Sequence, residues 1–467
     1  MTPLLAYAPY LIVLAVAGSL LLESLVYVSA VYEVYRNRAR NTHQLWRRVL
    51  SSRLAPRITV LMPSYNEEVW ITDSVARTLA LRYPDIEVIV INDGSTDSTM
   101  ERLHDAFDLV DVLPIYQKRL ETGHVRSIKR SRRNPNLFVV DKENGGKADS
   151  LNVGLNIASG ELVCAIDADT IVGSNALQEL VSPFLTHPDT VAVGGTIRLV
   201  DKRVPDDETT DMDLAPKSWM LGSQTVEYIR AFLVGRLGWN PLGGAIVISG
   251  AFGLFDREAT LEIGGYNRNS IGEDMELVVR LRRSAYEDNR FARVVFAPNP
   301  VAWTEAPASI RTLARQRNRW FRGLLDVLLR HRSMLFNKRY GTAGGLAMPY
   351  FLFVEAIGPT VELVGLILTV IALATGVIGF EALQLVVVIY CLGLLRTLGI
   401  LTLSDGMFGG HRGLLSRLRL LAFALFEAIV VHNLTLIWRA WGLWAFARGD
   451  HSWGVQERKG MASSASV

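Results

Sequence analysis

The sequence has few cysteines and little net charge, and each shortage excludes a class of protein. Its 467 residues include two cysteines, Cys164 and Cys391, which lie far apart inside apolar runs. They suggest no disulfide framework, and we expect two buried thiols. The 49 Lys and Arg residues nearly balance the 46 Asp and Glu residues, which leaves a formal net charge of +3. This balance gives no argument for a nucleic-acid partner, and we expect none.

Hydrophobic residues are abundant and unevenly distributed. They make up 49% of the chain, and the mean hydropathy of +0.22 is high for a purely soluble protein. The run from Leu4 to Tyr32 is long enough to cross a bilayer. No basic residue precedes this run and no small-residue cleavage site ends it, so a retained anchor is favoured over a signal peptide. We therefore predict an N-terminal transmembrane helix in residues 1–35.

A second apolar block predicts transmembrane helices in residues 343–440. Residues 380–403 and 420–437 are spanning candidates. Residues 347–375 are too long for one straight span, and we interpret them as a hairpin or as an interfacial helix followed by a span. Five arginines follow the N-terminal helix and place the next domain in the cytoplasm by the positive-inside rule. We expect a multi-pass protein of the inner or plasma membrane.

The polar segment between the apolar blocks, residues 53–335, has strand patterns that alternate with helical ones. Four apolar strand runs and three helical patterns follow one another, at residues 58–62, 68–80, 87–91, 96–107, 137–140, 148–158 and 162–166. This alternation predicts an α/β domain with a mostly parallel, Rossmann-like sheet. Ligands of such sheets bind beyond the carboxyl ends of the strands, where this sequence has its polar clusters.

Two polar clusters directly follow strand runs. Residues 63–67 read Pro-Ser-Tyr-Asn-Glu, and residues 92–97 read Asn-Asp-Gly-Ser-Thr-Asp. The second cluster by itself is more typical of a turn and a helix cap. At the ends of consecutive strands, however, the two clusters together predict a nucleoside pocket. An aromatic ring such as that of Tyr65 can stack on a base, and a carboxylate can accept hydrogen bonds from its imide or ribose.

Two further clusters carry groups suited to a diphosphate. Asp167 and Asp169 follow an apolar strand, and two carboxylates this close are awkward in a core unless a cation joins them. Hard divalent cations such as Mg²⁺ or Mn²⁺ take carboxylate oxygens and commonly bridge phosphates. Residues 144–147, Asn-Gly-Gly-Lys, precede a helix and combine close backbone approach with the charge of Lys147. The alternative for this cluster is a glycine turn with a solvated lysine.

The last two clusters indicate an acceptor side. Glu273 and Asp274 begin a helical pattern, where acids simply favour the helix dipole. Alternatively, Asp274 is a general base that accepts the proton of an attacking sugar hydroxyl. Gln316, Arg319 and Trp320 share one face of a basic amphipathic helix. Such a helix often lies on lipid headgroups, which explains its arginines but not this shared face.

These motifs, in this order, make the sequence similar to the processive family 2 glycosyltransferases, which include cellulose, chitin, hyaluronan and poly-N-acetylglucosamine synthases. The resemblance covers about residues 58–323, with a weaker similarity near the C-terminus. The family has Asp-Asp-Gly-Ser where this chain has Asn-Asp-Gly-Ser, so Asn92 departs from the pattern. The other matching motifs are Asp167-Ala168-Asp169, Gly272-Glu273-Asp274 and the Gln-x-x-Arg-Trp sequence from Gln316 to Trp320.

The resemblance implies a GT-A fold, joined to an α-helical transmembrane region, and a role for each motif. Donor-binding residues would be Tyr65, Glu67, Asp93, Lys147, Asp167, Gln316 and Arg319. Asp169, with Asp167, would hold Mg²⁺ or Mn²⁺, and Asp274, next to Glu273, would be the catalytic base. The acceptor would contact Trp320, Ser249, Gly250, Ala251 and Phe252.

The implied activity is inverting β-hexosyl transfer from a UDP-sugar to a growing polysaccharide, coupled to passage of the polymer across the lipid bilayer. Two alternatives stay open. One is a glycosyltransferase that adds a single sugar to a lipid-linked acceptor, although such enzymes typically lack Gln-x-x-Arg-Trp. The other is an inactive membrane protein that binds a nucleotide or exports a glycan, and the intact Asp167, Asp169 and Asp274 argue against it.

Two segments have less specific patterns. The basic run at residues 118–133 is interpreted as a solvated, membrane-facing loop, with a partner site as the alternative. The tail, residues 441–467, is polar near its end, and such ends are usually disordered. It nevertheless resembles the Trp-Gly-x-x-x-Arg gating loop of hyaluronan synthases, which implies that Trp453 packs near the nucleotide and Arg458 reaches the diphosphate. That role requires a cytoplasmic tail and an even number of crossings after the catalytic domain.

Overall fold

The computed structural model describes residues 2–39, 50, 52, 55–113, 115–200, 216, 218–307, 309–378, 380–408 and 413–449. The chain forms two compact units. The sheet unit consists mainly of Arg36–Glu208 and Ala245–Glu305. The helical unit consists of Met1–Tyr35, Thr209–Gly244 and Ala306–Glu457.

The sheet unit is built on one mixed β-sheet. Its strands are β1 Ile58–Ser64, β2 Ile86–Asn92, β3 Leu109–Asp111, β4 Val125–Ser131, β5 Leu137–Lys142, β6 Leu162–Ile166, β7 Ile171–Val172, β8 Thr190–Val200, β9 Phe252–Asp256 and β10 Arg293–Glu305. Their spatial order is β3-β4-β5-β2-β1-β6-β9-β8-β10-β7. The run from β5 through β2 and β1 to β6 is parallel, and β9 lies antiparallel beside β6. The carboxyl ends of four parallel strands therefore meet at one edge.

The α-helices are numbered along the whole chain. They are α1 Thr2–Ala39, α2 Ile71–Leu79, α3 Thr99–Phe107, α4 Lys147–Ile157, α5 Ala176–Thr186, α6 Trp219–Ile229, α7 Trp239–Leu242, α8 Arg257–Glu262, α9 Glu273–Glu287, α10 Ile310–Arg330, α11 Met348–Tyr350, α12 Gly358–Ala374, α13 Phe380–Phe408, α14 Leu414–Phe426 and α15 His432–Ala447. The π-helical segments are Arg230–Val234, Ala343–Ala347, Phe351–Ile357 and Glu427–Val431, and 3₁₀ turns occupy Arg332–Met334 and Lys338–Tyr340.

Helices cover both faces of the parallel strands. Every residue of β2 and β6 is buried, as expected for parallel strands with helices on each side. Helix α4 lies unusually close to the sheet, since a Cβ at Gly154 would lie 2.8 Å from the Leu61 side chain and 3.2 Å from that of Ile91. The prediction of an α/β, mostly parallel sheet is confirmed. The other half of the sheet was not predicted from the sequence: β9 lies antiparallel between β6 and β8, and β10 lies parallel to β8.

Four helices are long and apolar enough to cross a bilayer, among the residues that the structure describes. They are Val16–Arg36, Ala343–Ala374, Val387–Gly406 and Leu414–Ala447. The Ala343–Ala374 segment is one continuous helical run, so the hairpin interpretation is wrong. Gly358 and Pro359 start α12 directly after a π-helical segment, which accommodates the proline without a break.

Glutamates within the apolar helices contact basic side chains of neighbouring helices. Glu362 lies 2.9 Å from the imidazole of His432, and Glu355 lies 3.4 Å from the guanidinium of Arg439. Glu23 pairs with Arg396. Charges at membrane depth are costly unless paired, and these contacts supply the partners.

The prediction of two buried thiols holds for one cysteine. Cys164 is buried in β6, but Cys391 is exposed on α13. A helix long and apolar enough to cross a bilayer does not need protein to cover its apolar side chains, because lipid does so.

Candidate functional site

The loops that follow β1 and β2 are joined by reciprocal hydrogen bonds. The side-chain oxygen of Asn66 accepts from the N–H of Thr96 at 2.8 Å, and the N–H of Asn66 donates to Ser95 Oγ at 2.9 Å. The N–H of Glu68 also donates to the Asp97 carboxylate at 3.1 Å. The two clusters predicted to form a nucleoside pocket are therefore one connected structure at the carboxyl edge of the sheet.

The residues predicted to contact the nucleoside differ in exposure. Tyr65 is 50% exposed, whereas Glu67 and Asp93 are buried. An exposed aromatic ring at this edge is compatible with base stacking. The carboxylate of Asp93 accepts hydrogen bonds from the N–H groups of Gly145 (2.9 Å) and Gly146 (2.8 Å). It therefore holds in place the loop at residues 143–147, which we call the glycine loop. Contact between Asp93 and the base stays a prediction.

The departure from the family pattern at Asn92 has a structural reason. Asn92 ends β2 and is buried, and its Nδ2 donates to Oδ1 of Asp141 on the adjacent strand β5 at 2.7 Å. An aspartate at position 92 would face this carboxylate, and two carboxylates so close cannot both ionise readily. Asn92 thus has the shape of aspartate without its charge, and Asp141 on the neighbouring strand supplies the carboxylate.

We expect Asn92→Asp to lower the free energy of unfolding by about 1–3 kcal/mol, because it replaces a buried donor with a second acceptor. The exchanged pair, Asn92→Asp with Asp141→Asn, should recover most of this loss. Thermal unfolding of the four proteins in a double-mutant cycle measures the coupling. Equal unfolding temperatures for Asn92→Asp and the wild type would show that the pair contributes nothing to stability.

Asp167 and Asp169 follow β6 and have different surroundings. The ammonium of Lys147 pairs with Asp167 Oδ1. Burial and the neighbouring Asp167 carboxylate raise the pKa of Asp169 to about 7. A carboxyl that is costly to ionise here would be stabilised as its anion by a bound cation.

Three motifs meet around Gly250, in the loop before β9. The N–H of Gly250 donates to Asp274 Oδ2 at 2.9 Å, and its carbonyl oxygen accepts from Lys147 Nζ at 3.1 Å. A Cβ at this position would lie 3.2 Å from Asp274 Oδ2 and 3.3 Å from Lys147 Nζ, so the close approach depends on glycine. Asp167, Lys147, Gly250 and Asp274 thus form one connected group, which we call the site cluster.

Charge in the site cluster is partly balanced. Burial by itself lowers the pKa of Lys147, but the carboxylates of Asp167 and Glu273 outweigh this effect and raise the pKa above its ordinary value. The lysine therefore stays charged. Asp274 lies in the first turn of α9, where its Oδ1 accepts from the N–H of Met275 at 2.8 Å.

The acceptor loop predicted around Gly250 is divided between the site and the core. Ser249 and Ala251 are partly exposed beside Gly250. Phe252 is fully buried as the first residue of β9, where it pairs with Ile166 of β6. Its side chain therefore belongs to the core and does not face the acceptor, in contrast to the acceptor contact that the resemblance implied.

Two buried asparagines of α4 hold distant loops, and sequence reasoning missed both. Asn152 exchanges two hydrogen bonds with the backbone of Tyr266, at 2.9 and 2.7 Å. Asn156 binds the backbone of residues 119–120 in the same manner. The start of the basic run is therefore tethered to α4, and residues 125–131 of the run form strand β4, so the interpretation of the run as a solvated loop is wrong. Polar residues four apart on one helix face were the available signal.

Comparison with known proteins agrees with this geometry. Residues 56–323, more than half of the chain, match the family described as "Glycosyltransferase like family 2". The chain belongs to this family. The match begins just before β1 and ends inside α10, so it includes the motifs from Tyr65 to Trp320. The family expected from the motifs is thereby confirmed.

Curated relatives in this glycosyltransferase family include the poly-beta-1,6-N-acetyl-D-glucosamine synthase of Staphylococcus aureus. It is 33% identical over 276 residues, which cover 58% of this chain and 56% of the relative. The synthase of the same name from Staphylococcus epidermidis is 32% identical over 277 residues, with the same shares of each chain. This chain spans about half the length of the curated relatives that it matches.

Among solved structures, a mannosyltransferase from Pyrobaculum calidifontis, in complex with GDP-Man and Mn2+, has a similar fold. Its TM-score is 0.54 at 17% identity, and the match covers 88% of this chain and 98% of the mannosyltransferase. At this identity the similarity shows the fold. It agrees with the GT-A fold predicted for this chain.

The two carboxylates that follow β6, Asp167 and Asp169, are oxygen ligands that suit a divalent cation. Within the described part of the chain, no three His, Cys, Asp or Glu side chains converge to hold a metal ion. Asp167 and Asp169 therefore offer an incomplete set of ligands, and the raised pKa of Asp169 marks the carboxyl that a cation would stabilise. A bound diphosphate could complete the coordination.

The Gln-x-x-Arg-Trp motif of this chain lies on α10 in the helical unit. The guanidinium carbon of Arg317 lies 4.4 Å from the ring centroid of Trp320, which is 45% exposed. Arg317 is buried and donates to Glu227 at 2.7 Å and to Gln316 at 3.0 Å. The Trp320 ring is thus held in one orientation with part of its surface open. Donor or acceptor contacts of Gln316, Arg319 and Trp320 stay predictions.

Proposed function

We propose that this protein is an inverting glycosyltransferase of the membrane that transfers N-acetylglucosamine from UDP-N-acetylglucosamine to a growing β-linked polysaccharide. The observation that carries the proposal is the site cluster, in which Lys147 and Asp274 flank Gly250 at the carboxyl edge of the sheet. The names of the staphylococcal relatives support N-acetylglucosamine as the sugar.

In the proposed reaction, Asp274 accepts the proton of the acceptor hydroxyl. The hydroxyl oxygen forms a bond to the anomeric carbon of the donor as the bond from that carbon to the diphosphate oxygen breaks. UDP leaves with both electrons of the broken bond. Direct displacement inverts the anomeric configuration, so an α-linked donor gives a β-linked product without a covalent sugar–enzyme intermediate.

The departing diphosphate carries negative charge that must be stabilised. A divalent cation held by Asp169 and Asp167 would supply electrostatic stabilisation of this charge. Lys147, whose pKa is raised by its acidic neighbours, contributes a second positive charge from the helix start of α4. We assign Arg319 a similar role because its motif matches the family pattern.

Incubation of the purified full-length protein with labelled UDP-N-acetylglucosamine tests the proposal. We expect incorporation into a polymer, with UDP-glucose and GDP-mannose as poorer donors. Addition of one sugar to a lipid acceptor would support the single-addition alternative. Turnover with GDP-mannose but not with UDP-sugars would contradict the proposed donor, and binding of UDP without turnover would support the inactive alternative.

We propose a cytoplasmic sheet unit, because five arginines follow the first helix. The positions predicted for the gating loop, Trp453 and Arg458, lie outside the described residues. In the described part of the chain, three candidate spans follow the sheet unit. If all three cross, the tail lies across the membrane from a cytoplasmic sheet unit. The gating loop therefore requires one of them, such as Ala343–Ala374, to lie along the membrane surface.

Cysteine labelling in sealed vesicles tests the gating loop. Because Cys391 is exposed, Ser452→Cys is made in a Cys391→Ala background, and Lys118→Cys, on an exposed part of the sheet unit, reports the catalytic side. We expect the cysteines at positions 118 and 452 to react from the same side of the membrane. Labelling from opposite sides would contradict the predicted gating loop. With a cytoplasmic tail, Trp453→Ala should lower the transfer rate far more than UDP affinity, since a closing loop acts on the bound complex.

A further inference from the structure

The end of β5 carries a buried lysine that the proposed chemistry does not use. Lys142 is 0% exposed, although lysine is among the residue types least often fully buried. Its ammonium pairs with the carboxylate of Asp93, lies 2.9 Å from Asp149 Oδ2, and donates to the carbonyl oxygen of Glu143. The buried ammonium thus makes two hydrogen bonds, to Asp93 and to the carbonyl of Glu143, and a close ion pair with Asp149.

The second carboxylate of this group, Asp149, connects further segments. It is completely buried on α4 and accepts from the N–H of Gly123 at 3.0 Å. It also lies 3.1 Å from Nε of Arg268, in the segment that leads to Asp274. The group of Asp93, Lys142, Asp149 and Arg268, which we call the lysine hub, thus joins both ends of the site in the sheet unit.

The glycine loop is seated directly on the lysine hub. Both carboxylate oxygens of Asp93 accept from N–H groups of this loop, at Gly145 and Gly146. A Cβ at Gly145 would lie 2.5 Å from Asp149 Oδ2 and 3.1 Å from Lys142 Nζ. Lys147, to which we assign diphosphate binding, directly follows Gly146, so the backbone that presents this lysine rests on the hub.

We propose that Lys142 is a positioning residue for the donor. Its ammonium fixes Asp93 and the glycine loop, residues 143–147, in the arrangement that lets Lys147 reach a donor diphosphate. Lys142 itself stays buried and acts through these neighbours. This inference rests on the proposed function, because it concerns the binding of the same nucleotide-sugar.

The test compares two variants with a matched control in the full-length protein. Lys142→Met removes the ammonium and leaves the buried carboxylates of Asp93 and Asp149 without this positive partner. The unpaired charges destabilise the fold as well. Lys142→Met with Asp149→Asn removes one of those charges and keeps a side-chain oxygen for the N–H of Gly123. Lys129→Met is the control, because Lys129 lies on neighbouring β4 and pairs at 2.7 Å with the exposed Asp111.

The readouts are the unfolding temperature, the Kd of UDP measured by calorimetry, and KM and kcat for UDP-N-acetylglucosamine. We expect the double variant to regain most of the unfolding temperature lost in Lys142→Met, while its UDP affinity stays weaker by about tenfold or more. Its KM should rise more than its kcat falls. The control should match the wild type in every readout.

Two results would overturn this inference alone, and a third would contradict the proposed function. If the double variant regains both the unfolding temperature and the UDP affinity, Lys142 only balances buried charge and the inference is wrong. An unchanged UDP affinity in Lys142→Met would also overturn it. A wild-type protein that neither binds UDP nor turns over UDP-N-acetylglucosamine contradicts the proposed function itself, whatever the variants do.

Discussion

Asp274→Asn is expected to reduce the rate of sugar transfer by about 100- to 10,000-fold, the range typical of a lost general base. The asparagine keeps a side-chain oxygen that can accept a hydrogen bond from the N–H of Gly250. In the wild type, this N–H donates to Oδ2 of Asp274 at 2.9 Å. Its amide cannot take a proton from the acceptor hydroxyl. The initial rate with saturating UDP-N-acetylglucosamine measures the loss, and calorimetry should show UDP affinity near that of the wild type.

Glu258→Gln is the matched control for this variant. Glu258 is an exposed acid in the sheet unit that pairs with Arg119 at 2.7 Å, away from the site cluster. The same loss of one carboxylate charge should leave its transfer rate unchanged. Near-normal turnover by Asp274→Asn, or an equal loss in Glu258→Gln, would remove Asp274 from the role of base.

Removal of divalent cations is expected to abolish transfer, and Mg²⁺ or Mn²⁺ should restore it. The two carboxylates after β6 need ligands from elsewhere to hold a cation, so the ion and the donor diphosphate should bind together. Asp169→Ala should therefore weaken UDP binding when the metal is present and change it little when the metal is absent. Calorimetric titration of UDP with and without the metal measures this difference.

Asp189→Ala provides the comparison for the metal experiment. Asp189 is partly exposed and pairs with Arg293 at 3.2 Å, outside the site cluster. Its loss should leave the metal dependence of UDP binding intact. A transfer rate that does not change on chelation would contradict the assignment of Asp167 and Asp169 as metal ligands.

The parallel half of the fold was predictable from the sequence for a physical reason. Strands buried on both faces appear as short apolar runs, and β1, β2 and β6 were expected within a few residues of their observed bounds. Because ligands bind beyond the carboxyl ends of such strands, the polar residues after these runs also marked the candidate site. Local pattern and global topology agree in this part of the chain.

The lysine hub could not be predicted in the same manner. A lysine that ends a strand usually has a solvated ammonium, and nothing near Lys142 in the sequence indicates burial. Its partner Asp93 lies 49 residues away in the sequence. The pairing of Asn92 with Asp141 depends on strand order in the same way, because β2 and β5 are neighbours in the sheet but not in the sequence. Such contacts follow from topology, which a local pattern does not contain.

The contacts between α4 and later segments have a consequence for biosynthesis. Lys147 binds the carbonyl of Gly250, 103 residues further along, and Asn152 binds the backbone of Tyr266, 114 residues further along. The chain must therefore leave the ribosome as far as Tyr266 before both contacts can form, so α4 cannot complete its native contacts earlier. Until then, Lys147 and Asn152 on α4 lack these hydrogen-bond partners. The sheet unit is therefore incompletely folded during the synthesis of the 103 residues that separate Lys147 from Gly250, and incompletely folded domains are the species that aggregate.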